Sequence, residues 1–305
     1  MVELIVWGIV LGSILTLGAI GLSLVYGVLR FANFAHGDLL TVGAYSALAL
    51  VSLAFPALGL GDSKLGPFSF GWTMLIALPL AAASAALVAV AANRLVFRPL
   101  HRRRLPPLML AISSLAIALL VRSVVMMVWG PAQRVYYEGL RTTYVLPGLN
   151  ARVRADQLLI FGLAVLLVAT LWLFLERTKA GKALRATSDN PELARISGID
   201  TNRMMTLTWI VGGGLAGIAG VFLGIDSQVR PDMGWNLLLP IFAAVILGSI
   251  GNIYGAMLGA IIVGISQQVS TMWLLPTYKP AVAFVILILT LLLRPRGIFG
   301  SRHAS

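Results

Sequence analysis

Nine stretches of apolar residues follow one another along the chain, most of them near or above the ~20 residues that a helix needs to cross the hydrocarbon core of a bilayer. They run at about 4–29, 38–56, 71–96, 106–129, 157–175, 204–224, 237–250, 254–273 and 280–293. A water-soluble fold cannot hide this much apolar surface: 59% of the 305 residues are hydrophobic and only 11% are charged, against roughly 25% charged in a soluble domain. The blocks are continuous and leucine-rich rather than alternating over ~10 residues, so closed helices, not barrel strands, are the expected spanning structure. The fold class expected is an all-α polytopic integral membrane protein with eight or nine transmembrane helices. The seventh block is too short for a simple span and is expected to pair with the eighth as a broken or re-entrant element. No connection reaches the ~50 residues of a second domain, so residues 1–305 are read as one domain. The first apolar segment has no basic start and outruns a secretory signal, so it is expected to remain in the mature protein.

The formal charge is +12, yet the basic residues sit in short loops between apolar blocks, which argues for topology information and against nucleic-acid binding. Three regions form one side. Arg94, Arg98, Arg102, Arg103 and Arg104 share an acid-free connection, six further cations lie in 176–203, and Arg294, Arg296 and Arg302 lie in the tail. With Arg30 they hold 15 of the 23 Lys and Arg, whereas the other side holds seven, Lys64, Arg134, Arg141, Arg152, Arg154, Arg230 and Lys279. The positive-inside rule makes the first group cytoplasmic, and nine crossings counted back from a cytoplasmic tail put the N-terminus outside, in the periplasm of a bacterial inner membrane. Zero cysteines exclude disulfides, thiol nucleophiles and Cys-ligated metal.

Two interruptions carry most of the functional signal. In GLSLVYGVLRFANFAHGDLLTVGAY, residues 21–45, Arg30, Asn33, His36 and Asp38 break an apolar run. This reads either as a plain turn between helices or as a broken helix lining a substrate path, since polar groups at membrane depth need protein or water partners. In LGSIGNIYGAMLGAIIVG, residues 247–264, Gly248, Asn252 and Gly255 punctuate the chain in a similar way. Asn precedes Gly in both, and a Gly-Ala follows at Gly43-Ala44 and Gly259-Ala260, the pattern expected of an internal repeat around a central site. The candidate translocation path is therefore Asn33, His36, Asp38, Gly248, Asn252 and Gly255. No catalytic or metal-ligating set is expected: His36 and Asp38 lack a nucleophile motif or a second ligand cluster, and His101 and His303 fall in cytoplasmic segments. The glycines at 212–220 lie inside a spanning block and read as helix packing, not as a phosphate loop. Arg122 reads as a snorkelling side chain, and Trp72, Trp129, Trp235, Trp273 and Tyr278 as interfacial belts. In the 176–203 connection a short helix is expected at 190–197, with Ser188 or Asp189 as cap, Pro191 at its start and Gly198 at its stop.

These two interruptions, together with TKAGKALRATSDNPELARISGID at 178–200 running into GGGLAGIAGVF, resemble the permease subunits of the branched-chain amino acid ABC transporter family, the LivH and LivM type, and LivH more closely. The resemblance covers about residues 20–265. It implies a permease that works with a second, LivM-like permease, two cytoplasmic ATPases and a periplasmic or lipid-anchored binding protein in the lipid bilayer. ATP and Mg would be held by the ATPases, with no cofactor on this chain. It further implies that the loop carrying Gly181, Arg185, Ala186, Asn190, Ala194, Gly198 and Ile199 docks on an ATPase as the coupling element. The other reading of the composition is a stand-alone secondary transporter or channel, for which only Asp38 offers a buried carboxylate. The family serves leucine-like and other amino acids, amides and urea, so the resemblance does not fix the solute.

Overall fold

Hydrocarbon offers no partner to a bare peptide group, so each apolar block must close its own hydrogen-bond ladder. The computed structural model describes residues 1–60, 63–138, 142–146 and 151–300, and Arg141, Arg302 and His303 lie outside them. Among the described residues eight helices are long and apolar enough to cross a membrane: α1 Val2–Leu29, α2 His36–Ala57, α3 Trp72–Arg102, α4 Pro107–Trp129, α5 Ala155–Arg177, α8 Thr201–Asp226, α10 Ile253–Met272 and α11 Pro276–Leu293. Two short helices, α6 Lys179–Asp189 and α7 Pro191–Ile196, join α5 to α8. The shorter apolar helix α9, Met233–Gly248, lies between α8 and α10. Among the described residues one hairpin, β1 Thr143–Leu146 with β2 Ala151–Arg154, precedes α5. The protein is a multi-pass, all-α membrane protein.

At 16 residues α9 measures about 24 Å, short of the ~30 Å core. It folds back on α10 through Gly248 against Gly255 and Gly259 against Ala244, the pairing expected of the seventh and eighth blocks. The three basic regions do gather at one end of the bundle. The Arg30 guanidinium donates to the Ser188 carbonyl at 2.7 Å, Leu29 shares a cavity wall with Arg98, Arg102 and Arg195, and Ile298 N–H donates to Leu247 O at 2.8 Å beside the α9–α10 turn. We call this the basic end. At the far end, Trp7 donates to the Arg152 carbonyl at 3.0 Å and Ser69 N–H donates to the Asp156 carboxylate at 2.8 Å.

Helix α8 buries 78% of its most apolar window and α1 67%, whereas α11 buries 11% and α4 and α5 22% each. The first two form the centre of the bundle, and the others expose leucines to lipid. The α8 glycines explain the difference. A methyl on Gly220 would lie 1.8 Å from the Leu40 carbonyl oxygen, and one on Gly43 would lie 2.3 Å from Gly217. Small residues let α2 and α8 touch backbone to backbone, where packing replaces the hydrophobic effect as the source of association.

Between α5 and α8 the structure holds more helix than the sequence suggests. The Thr178 hydroxyl accepts Gly181 N–H at 2.9 Å and starts α6. The cap of α7 is neither Ser188 nor Asp189 but Asn190, whose Oδ1 accepts the Glu192 and Leu193 N–H groups at 3.0 Å each. Pro191 does occupy the first turn and Gly198, at φ 85°, does end the helix. Ser188 and Asp189 are drawn into α6 because its buried face, Gly181, Leu184 and Thr187, extends the helix that far.

Candidate translocation site and coupling element

α1 stops where Arg30 takes the left-handed conformation at φ 57°. From there residues 30–35 run without helix back into the bundle, where Ser114 Oγ of α4 accepts Phe34 N–H at 2.9 Å and Asn33 Oδ1 accepts Ala35 N–H at 3.1 Å, while Asn33 Nδ2 is buried with no hydrogen-bond partner among the described residues. Phe31 meets the Phe97 ring at a tilt of 41° and Phe97 stacks on Trp209, with centroids 5.2 and 5.1 Å apart. Helix α2 begins at His36, whose Nε2 lies 2.9 Å from the Gly18 carbonyl oxygen. That oxygen only accepts, so the proton is on Nε2. Gly18 lies eleven residues before the end of α1, roughly 16 Å along its axis. The first interruption thus carries the chain from the end of α1 back into the bundle before α2 begins, and is not a turn confined to the surface.

Asp38 follows in the first turn of α2, where an anion complements the helix dipole. It is wholly buried, and Arg122 of α4 grips it at both oxygens, Nε to Oδ1 at 3.2 Å and Nη2 to Oδ2 at 3.1 Å. The Arg122 side chain is 15% exposed and its guanidinium stacks 4.6 Å from the Trp235 ring of α9. Arg122 therefore does not snorkel, and Trp235 serves a cation and not only an interface. A buried carboxylate requires a cation with matching geometry, and the match closes α2, α4 and α9 around one charge pair.

The first turn of α9 meets that of α2 directly: a methyl on Gly234 would lie 1.9 Å from the Gly37 carbonyl, and Gly234 N–H donates to Thr41 Oγ1 at 3.2 Å. Two helix N-termini therefore converge inside the bundle, one reached from the basic end through 30–35 and the other from the far end through 227–232. The stretch that meets the first interruption is Asp232–Asn236 rather than 248–255, a partner that the late start of the seventh apolar block could have signalled. Gly248, Asn252 and Gly255 instead form a tight turn at the basic end. Asn252 Oδ1 accepts Gly255 N–H at 3.1 Å and Gly251 lies against Gly27, nine residues or roughly 14 Å along α1 from Gly18. The structure does not bring the two sets of candidates together.

A cavity of about 970 Å³ opens at the far end among α1, α8, α9, α10 and α11. Its charged wall includes Glu3, Arg152, Arg154, Asp226, Arg230 and Lys279. Arg154 pairs with Asp226, which also accepts Gln157 Nε2 at 3.0 Å. Arg230 grips Asp232 at 3.0 and 2.7 Å and holds its carboxyl below the usual carboxylate range. Both signs of charge beside apolar walls suit a zwitterion of modest size. Sequence reading placed Arg152, Arg154, Arg230 and Lys279 in outer loops without seeing that they surround one space.

The coupling candidates share one body. Gly181 lies where a methyl would be 2.2 Å from the Phe174 carbonyl, which seats α6 on α5. Arg185 pairs with Glu176 at 2.6 Å, and Tyr254 of α10 donates to the same oxygen at 3.1 Å. The Ala186 carbonyl accepts Asn190 N–H, and Ile199 N–H returns to the buried Ala194 at 3.0 Å after Gly198. Opposite Ala194, Leu193 and Ile196 are 60% and 84% exposed, an uncovered apolar tip that no motif in the sequence marks.

The profile of the family described as the branched-chain amino acid transport system permease component matches residues 4–291. The chain belongs to this permease family. It is 32% identical over 303 residues to the high-affinity branched-chain amino acid transport system permease protein BraD of Pseudomonas aeruginosa, covering 96% of this chain and 94% of the relative. To the Escherichia coli permease LivH it is 30% identical over 303 residues, at 96% and 93% coverage. To a probable LivH permease of Methanocaldococcus jannaschii it is 32% identical over 305 residues, at 96% and 90%. No solved structure matches this permease.

Proposed function

We propose that this permease is the membrane-crossing subunit of an ATP-driven importer for branched-chain or related amino acids. The observation that carries the reading is a continuous link from surface to depth. The exposed tip of α7 adjoins α6, the end of α6 is held by Arg30 through the Ser188 carbonyl at 2.7 Å, and Arg30 opens the 30–35 segment that ends at His36 and Asp38. A partner that pulls on α7 therefore moves the segment on which the converging helix ends rest. The basic end is then cytoplasmic and the N-terminus periplasmic, in the bacterial inner membrane. Two ATPases holding ATP and Mg grip α6–α7, a second, LivM-like permease completes the pore, and a periplasmic or lipid-anchored binding protein delivers solute to the far-end cavity.

In that cavity Arg152, Arg230 and Lys279 are suited to a carboxylate, and Glu3 to an ammonium group. The route inward passes the crossing of α2 and α9 at Gly37 and Gly234, where the positive ends of two helix dipoles and the Asp38–Arg122 pair lie together. The chain performs no covalent step in this scheme. A gradient-driven carrier would need a titratable carboxylate that lies within the spans and is in reach of solvent, and Asp38 in the bundle is shielded and paired. The test is uptake of labelled leucine by a complex reconstituted with this chain. Transport that depends on ATP and disappears in the Leu193→Asp/Ile196→Asp variant supports the proposal, and transport that continues without nucleotide overturns it.

A further inference from the structure

At the basic end, between the last turns of α3 and the first turns of α8, lies a recess walled on one side by Glu192 and Arg195 of α7, to which the transport scheme assigns no ligand. It comprises two adjoining cavities of about 470 and 560 Å³ that share Arg98 as a wall. Six arginines line them, Arg94, Arg98, Arg102, Arg104, Arg195 and Arg203, against the carboxylates of Glu192 and Asp200. Asp200 is already engaged, since it accepts the Asn202 and Arg203 N–H groups at 3.0 and 3.2 Å and pairs with the Arg203 side chain at 3.0 Å. The Nε of Arg98 is buried and has no hydrogen-bond partner among the described residues. A buried donor on a charged group left unmet is costly, and an anion within the recess would meet it.

The surroundings select among anions. Leu87 and Leu95 on α3 are 70% and 77% exposed, and Ile210 on α8 is 45% exposed and itself lines the recess. The lipid-facing surface of both helices thus ends where the arginines begin, the arrangement expected at the boundary between acyl chains and headgroups. A free phosphate would gain nothing from Leu95 or Ile210. A protein partner would meet the protruding α7 before a recess behind it.

We propose that this recess binds the phosphate of an anionic phospholipid, with Arg94 and Arg98 on the headgroup and an acyl chain along Leu95 and Ile210. The site is separate from the converging helix ends and from the far-end cavity. The test is binding of phosphatidylglycerol and phosphatidylcholine to the purified full chain, followed by native mass spectrometry and by spin-labelled lipid. At about 1 kcal/mol per cation near an anionic surface, Arg94→Gln/Arg98→Gln should weaken phosphatidylglycerol binding about 30-fold and leave phosphatidylcholine unchanged. Arg177→Gln/Lys179→Gln, which removes equal charge at the same end but outside the recess, should change it less than about 3-fold. Should the double variant fail to fold, Arg94→Gln alone should still lose about 5-fold. Equal losses in the two double variants would reduce the effect to diffuse surface charge and overturn the proposal. Displacement of the lipid by millimolar inorganic phosphate, or unaltered lipid binding with failed ATPase assembly, would overturn it equally.

Discussion

Removing the two members of the Asp38–Arg122 pair one at a time should have unequal consequences. Asp38 is wholly buried and Arg122 retains 15% exposure, so the two orphans left behind differ. Arg122→Ala strands a carboxylate with no route to water, and breaking a buried pair in this way costs about 3–5 kcal/mol. Asp38→Ala leaves a guanidinium that can lean outward and still stack on Trp235 at 4.6 Å, so its cost should fall nearer ~2 kcal/mol. Removing both charges together, as Asp38→Ala/Arg122→Ala, should cost less than the sum of the single losses by about 1–3 kcal/mol, because neither partner is stranded. Unfolding of the purified protein in graded detergent denaturant gives the three values, and uptake by the same variants shows whether the pair serves transport as well as stability. Additive single losses, or an Asp38→Ala variant worse than Arg122→Ala, would refute the assignment of a closed, asymmetrically buried pair.

Three further outcomes follow from the same geometry. Gly220→Ala should be poorly folded, because its methyl would meet the Leu40 carbonyl at 1.8 Å, whereas Gly214→Ala, whose nearest neighbour is 3.8 Å away, should be neutral to stabilising by up to ~1 kcal/mol, as read by thermal unfolding in detergent. Leu193→Asp/Ile196→Asp should leave the unfolding temperature unchanged, since both side chains are exposed, while co-purification of the ATPases falls at least about tenfold, the effect of a lost apolar anchor of roughly 1.4 kcal/mol or more. Arg230→Gln/Lys279→Gln should raise the solute concentration for half-maximal uptake with little change in basal ATP hydrolysis, and a variant that alters hydrolysis alone would place these side chains outside the solute route.

The composition and the spacing of the apolar blocks determined the fold class, because hydrocarbon permits only closed helices and the length of each block reports directly on the bilayer. The shortness of 237–250, the break at Arg30–Asp38 and the punctuation at Pro191 and Gly198 were local signals and were legible for that reason. The relation between breaks was not legible. Asn252 and Gly255 imitate Asn33 and Gly37 in order, an Asn shortly before a Gly, but end as a turn at the bundle's rim, while Gly234, which resembles nothing notable in the chain, meets Gly37 at depth. Arg122 looked solitary because its partner lies 84 positions away, and Trp235 looked interfacial because its cation comes from another helix. Only the tertiary structure decided these points, since side-chain pairing across helices depends on how glycines set the distance and rotation between them, and a linear pattern carries the glycines without saying which backbone each one will touch.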